Sequence, residues 1–220
     1  MVARKKIDKI IDLLRKNTVG MTDPAALTIV KTFGRNPFLV LISCMLSLRT
    51  QDKVSLPASL RLFEVAQTPK DMASLPLHTL EKLIYPVGFY KNKTKHIHLT
   101  CKKLLAEFKE VVPQTREQLM SLPGVGRKTA NLVLGEGFGI PAICVDTHVH
   151  RISNRLGIVA TKTVEETEEA LMKVLPKEYW IEYNRLLVMW GQNVCLPISP
   201  LCSSCVLLPL CPQKGVMRHR

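Results

Sequence analysis

An all-α fold follows from three features of this 220-residue sequence. Apolar residues recur at helical spacing in segments that carry cap signals, as in Ile7, Ile10, Ile11 and Leu14. Asn36-Pro37 supplies an N-cap and a proline at the first helical position for an apolar segment, Phe38 to Leu48. The ten residues LPGVGRKTAN, Leu122 to Asn131, read as two helices joined by a glycine hairpin. A chain of this length can bury a sizeable core, and two small helical domains are expected.

Taken in order, the first helix spans about Ile7 to Lys16, with one apolar stripe and a charged back. Phe38 to Leu48 is the central buried helix, too short to span a bilayer, and it ends in the polar cluster Arg49-Thr50-Gln51-Asp52. Thr68-Pro69 opens another helix, and Leu75-Pro76 breaks it before Leu77 to Ile84. A loop follows, with Phe89 and Tyr90 either packed into the core or presented at the surface. From Asn92 to Lys109, Ile97, Cys101, Leu104, Leu105 and Phe108 share one helical face, and the lysines off that face form a solvated charged surface or, through Lys91 and Lys93 at its start, a contact to phosphate. Thr115 and Gln118 form a capping box for a short helix that Pro123 and Gly124 stop. Gly126 then gives the tight reversal, and Gly135 and Gly137 mark the end of the following helix. Asp146 precedes a helix with Val149, Ile152 and Leu156 inward, while Thr163 and Glu166 cap an acidic one. The last long helix runs from Pro176 to Trp190, ended by Gly191.

The hairpin is where chemistry enters. It is expected to turn the N–H groups of Val125, Gly126 and Arg127 outward beside the positive end of a helix dipole, which suits an anion such as phosphate. An ordinary helix–turn–helix corner carries the same Pro-Gly pair. Arg127 and Lys128 oppose the dipole at roughly 0.3–1 kcal/mol per charge, a broken local rule of the kind found at functional sites. Neighbouring cations and partial burial are expected to lower the pKa of Lys128 and release its amine as a nucleophile. Asp146 is by default an N-cap, and the same helix terminus keeps its carboxylate ionised. His148 and His150 have no metal-ligand spacing. Lys and Arg number 31 against 18 Asp and Glu, so the net charge is +13 and a polyanionic partner is expected. The N-terminal residues show no signal or transit pattern, so a cytoplasmic, nucleoid-associated protein without a membrane anchor is the expectation.

Seven cysteines in such a chain do not read as a disulfide framework. Cys195, Cys202, Cys205 and Cys211 fall within seventeen residues as C-x6-C-x2-C-x5-C. Four thiolates so gathered imply a metal, either zinc or an iron–sulfur cluster. Cys44, Cys101 and Cys144 lie in apolar surroundings and are expected to be inert.

Through LPGVGRKTAN, Val145-Asp146-Thr147-His148 and the cysteine spacing, the sequence closely resembles the endonuclease III family of DNA repair glycosylases over nearly its full length. The resemblance implies a six-helix domain, about residues 30–140, that carries the hairpin. A second domain, residues 1–29 with 141–220, is closed by a [4Fe–4S] cluster in the loop 195–211. Double-stranded DNA with damaged bases or abasic sites would bind a monomer in the cleft between them. It further implies Lys128 and Asp146 as catalytic residues and Cys195, Cys202, Cys205 and Cys211 as cluster ligands. The DNA-facing residues would be Arg49, Gln51, Phe89, Gly124, Val125, Gly126, Arg127, Thr129, His148 and Arg151. Phe89 sits where the family often has a wedging Leu. Arg49 stands where it commonly has a Gln that fills the gap left by the extruded base. The implied activity is a bifunctional glycosylase and abasic-site lyase acting on oxidised pyrimidines. The alternatives are a monofunctional mismatch glycosylase and a non-catalytic DNA-binding module.

Overall fold

The computed structural model describes residues 4–220 of the chain. Its α-helices are, in chain order, α1 (Arg4–Asn17), α2 (Ala25–Phe33), α3 (Pro37–Ser47), α4 (Asp52–Val65), α5 (Pro69–Ser74), α6 (Leu77–Ile84), α7 (Tyr90–Phe108), α8 (Arg116–Met120), α9 (Arg127–Leu132), α10 (Thr147–Arg155), α11 (Val164–Val174) and α12 (Trp180–Asn193). A π-helical stretch, Val133–Phe138, extends α9, and no strand occurs among the described residues. The fold is all-α. The chain divides into two compact units, Ala25–Ile140 and the N-terminal stretch up to Pro24 with Pro141–Arg220.

In the unit Ala25–Ile140, α3 is the hub. Asn36 caps it by accepting from the N–H groups of Phe38 and Leu39, and Phe38 to Leu46 are buried without interruption. Apolar residues all round a helix leave no solvent face, so α2, α4, α7, α9 and the π-helix pack around it. Thr68 caps α5 by accepting from the Asp71 N–H, and α6 begins after Pro76. The helix after the hairpin does not stop at Gly135 or Gly137. It runs on through both, and Gly139 ends it with φ 72°. Gly137 is inside because a Cβ there would come 2.9 Å from the Pro37 Cα; glycine lets the π-helix lie against the start of α3.

In the other unit, Ile7, Ile10, Ile11 and Leu14 on α1 join Val149 and Ile152 of α10, Leu171 of α11, and Tyr183 and Leu187 of α12 in one core. Glu168, in the acidic run at the start of α11, is buried. Gly191 does not terminate α12. It lies inside the helix, because the His148 ring and the Arg151 guanidinium occupy the space a Cβ would need. No helix among the described residues is long and apolar enough to cross a membrane.

Candidate active site

The hairpin begins with α8, whose Thr115 cap accepts from the Gln118 N–H at 3.3 Å. Gly124 makes the reversal, with φ 78°, whereas Gly126, assigned that part by sequence, has φ −99° and is the N-cap of α9. The reason is visible in the packing. Gly124 lies against the His96 ring, where a Cβ would stand 2.8 Å from Nδ1, while a Cβ on Gly126 would meet nothing within 4 Å. The Val125 N–H is not turned outward as expected; it donates to Leu122 O at 3.1 Å and closes the turn.

Lys128 is exposed on the first turn of α9, with Arg127 beside it half-buried. Partial burial, expected for Lys128, is absent. Thr129, Ala130 and Asn131 take the inward face and leave the lysine outward. Thr129 is 2 % exposed, which leaves it little surface to offer a ligand.

Two further loops of the same unit present expected residues. Arg49 is exposed just beyond α3 with φ 51°, and Gln51 is the exposed N-cap of α4. Phe89 is 62 % exposed with φ 59°, so of the two readings of this aromatic the surface one holds. Tyr90 is half-buried and meets the Tyr85 ring edge-on at 5.5 Å. Lys93, expected at phosphate, is buried instead, with Nζ donating to Leu46 O, Leu48 O and Thr50 Oγ1. Burial draws its pKa down toward about 8, and the three accepting oxygens work against that by favouring the ammonium. Cys44 and Cys101 are buried, and burial pushes both thiols up to about 12, as inert core cysteines require.

In the other unit, Asp146 caps α10. Its Oδ1 accepts from the N–H groups of His148 and Val149, each at 2.9 Å, and the side chain remains half-buried. His148 lies against Gly191 with Arg151 Nη2 at 3.2 Å from its Nδ1. Arg151, expected at DNA, directs Nη2 to Gly191 O and Cys195 O, which turns it toward the cysteine loop.

Cys195, Cys202, Cys205 and Cys211 line one cavity, with Ile152, Trp190 and Leu207 among its apolar walls. Burial, with neighbouring sulfurs contributing, pushes the Cys205 and Cys211 thiols up. Donors already face this sulfur set: Arg155 Nη1 reaches Cys195 Sγ at 3.3 Å, and the Gln213 N–H reaches Cys211 Sγ at 3.4 Å. Arg155 is 8 % exposed and also ties the loop to α10 through Leu196 O and Pro197 O. The Arg151 Nε nearby is buried without a hydrogen-bond partner. Among the described residues no three His, Cys, Asp or Glu side chains are grouped as ligands of a single metal ion.

The sequence matches the family model "HhH-GPD superfamily base excision DNA repair protein" over residues 42–177. Endonuclease III of Thermotoga maritima is 47% identical over 210 residues, covering 91% of this chain and 99% of that one. Among solved structures, a non-covalent endonuclease III–DNA complex superposes with a TM-score of 0.83 at 39% identity, covering 97% of each chain. A trapped endonuclease III–DNA covalent intermediate, in an estranged-adenine complex, gives the same TM-score of 0.83, identity of 39% and coverage of 97% of each chain.

Proposed function

Because the chain belongs to the HhH-GPD superfamily of base excision DNA repair proteins and, within it, to the endonuclease III family, we propose that it is a bifunctional DNA glycosylase and abasic-site lyase that removes oxidised pyrimidines. One observation carries the reading. The exposed amine of Lys128, directly after a glycine hairpin, belongs to a chain 39% identical to an endonuclease III trapped covalently on DNA.

The hairpin, from Gly124 to Arg127, holds a backbone phosphate at the start of α9, and the +13 charge favours the duplex at long range. The damaged nucleotide leaves the stack, since C1′ is shielded inside it. Phe89 enters the strand from one loop, and Arg49 with Gln51 faces the vacated space from another. The neutral Lys128 amine attacks C1′ and displaces the base, and the proposed part of the Asp146 carboxylate is to stabilise positive charge on the sugar. Ring opening gives a Schiff base that acidifies the C2′ proton. Its loss expels the 3′ phosphate by β-elimination and cuts the strand. His148 contributes to binding beside Asp146, and Arg151 braces the cysteine loop.

Cys195, Cys202, Cys205 and Cys211 hold a [4Fe–4S] cluster in this reading. A single zinc ion draws its sulfurs to about 2.3 Å from one centre. Four thiols that line one cavity with apolar walls are a donor set that suits an iron–sulfur cluster. Such a cluster, when bound, would close the loop 195–211, and Arg155, which reaches Cys195 Sγ, would face it with a positive charge. The protein acts in the cytoplasm on nucleoid DNA. Incubation with a duplex bearing one abasic site, in buffer with chelator, is the deciding assay: cutting 3′ to the site with an unsaturated aldehyde end supports the lyase, and intact strands reject it.

A further inference from the structure

Lys93 takes no part in the chemistry above, yet it joins the two loops that present Arg49 and Phe89. Its Nζ donates to Leu46 O at 2.7 Å, Leu48 O at 2.6 Å and Thr50 Oγ1 at 3.0 Å. Two of these are carbonyls at the C-terminal end of α3, where orphan acceptors and the negative end of the dipole meet. All three acceptors are neutral oxygens. A buried cation with such partners is a costly choice if the task were only to fill space.

The connections continue on both sides. The Lys93 N–H donates to Phe89 O at 3.0 Å, so the same residue holds the Phe89 loop by its backbone and the Arg49 loop by its side chain. Thr50 Oγ1 also accepts from the Gly88 N–H at 3.2 Å. Gly88 allows the loops to touch, because a Cβ there would lie 3.1 Å from Thr50 Oγ1 and 3.2 Å from Arg49 O. Arg49 and Phe89 each stand on left-handed backbone, φ 51° and φ 59°, a conformation that surrounding structure must impose on side chains of this size.

We infer that Lys93 is a positioning residue that fixes Arg49 and Phe89 as one two-pronged element, so that the two enter a duplex together in a set relation. The inference rests on the glycosylase reading. Two separately mobile prongs would each lose conformational freedom on insertion, whereas prongs already fixed to a common buried ammonium have lost it in folding. The prongs matter where a base must be extruded from a paired duplex and not where the target is already an unpaired abasic sugar.

The test compares single-turnover base release from an oxidised pyrimidine paired in a duplex with cutting of a single-stranded abasic oligonucleotide. It uses wild type, Lys93→Met and Gly88→Ala. Lys93→Met keeps the apolar stem and removes the ammonium; Gly88→Ala drives a methyl between the loops and leaves Lys93 in place. Both are expected to slow base release from the duplex by about ten-fold or more while cutting the single strand within about two-fold of wild type. If both variants lose the two activities equally, or lose neither, Lys93 only supports the fold and the inference is overturned. Should Lys93→Met not fold, Gly88→Ala alone decides by the same criterion. A wild type that cuts neither substrate overturns the glycosylase reading and this inference with it.

Discussion

Arg49 has φ 51° and an exposed side chain. A guanidinium in the space left by an extruded nucleotide can donate to O6 and N7 of an orphaned guanine together, a contact worth roughly 1–3 kcal/mol of discrimination. Excision opposite guanine should therefore exceed excision opposite adenine, and Arg49→Gln should flatten the difference. Single-turnover rates for one lesion opposite each of the four bases measure this, and an unchanged profile in the mutant would leave Arg49 a phosphate contact. Asp146 caps α10, and the proposed reaction gives it a second duty that substitution separates from the first. Asp146→Asn preserves an acceptor for the His148 and Val149 N–H groups, so the fold should hold while base removal fails and DNA affinity stays or rises. Normal base release by that variant would reduce Asp146 to a cap. Both residues are marked in the sequence by position, Asp146 before a helix and Arg49 after one. The role of Lys93 is not so marked, because two of its acceptors, Leu46 O and Leu48 O, lie 47 and 45 residues away in the chain and belong to the backbone.

At the scale of elements, the cap signals were readable because they are local. Asn36, Thr68, Thr115, Asp146 and Thr163 each cap the helix that their position predicts. Glycines are less legible, since a glycine that permits close packing looks the same in sequence as one that turns the chain. Gly137 and Gly191 are helix-interior glycines pressed by Pro37 and His148, and the reversal belongs to Gly124. A contrast in the hairpin follows. Gly124→Ala should destabilise the protein by at least about 1 kcal/mol, through positive φ and the His96 contact. Gly126→Ala meets open space at φ −99° and should change stability by well under about 1 kcal/mol. Denaturant midpoints of the two variants check this, and equal losses would mean that both glycines make the turn.

Across the whole molecule, the all-α class was legible from periodicity and caps, and the gathered cysteines from spacing alone. Which neutral and charged groups are buried was not, because that depends on packing between distant segments. One consequence is alkaline sensitivity. Burial raises the Cys44 and Cys101 thiols from 9.0 to about 12, so each contributes stability that is full below pH 9 and is lost as pH rises toward 12. The slope is at most about 1.4 kcal/mol per pH unit for each thiol. Replacing both by Ala should flatten the fall in unfolding free energy between pH 9 and 11, and an unchanged slope would place its origin elsewhere. The purified protein should carry about four irons and as many sulfides, and stoichiometric zinc after anaerobic purification from iron-replete cells would refute the cluster.

The central claim is that Lys128 is the nucleophile. Borohydride reduction in the presence of an abasic duplex should trap wild type covalently, with the adduct on the peptide that contains Lys128. Lys128→Ala should bind the same DNA and give no adduct. Trapping that survives in Lys128→Ala, or an adduct mapped to another lysine, would contradict the account.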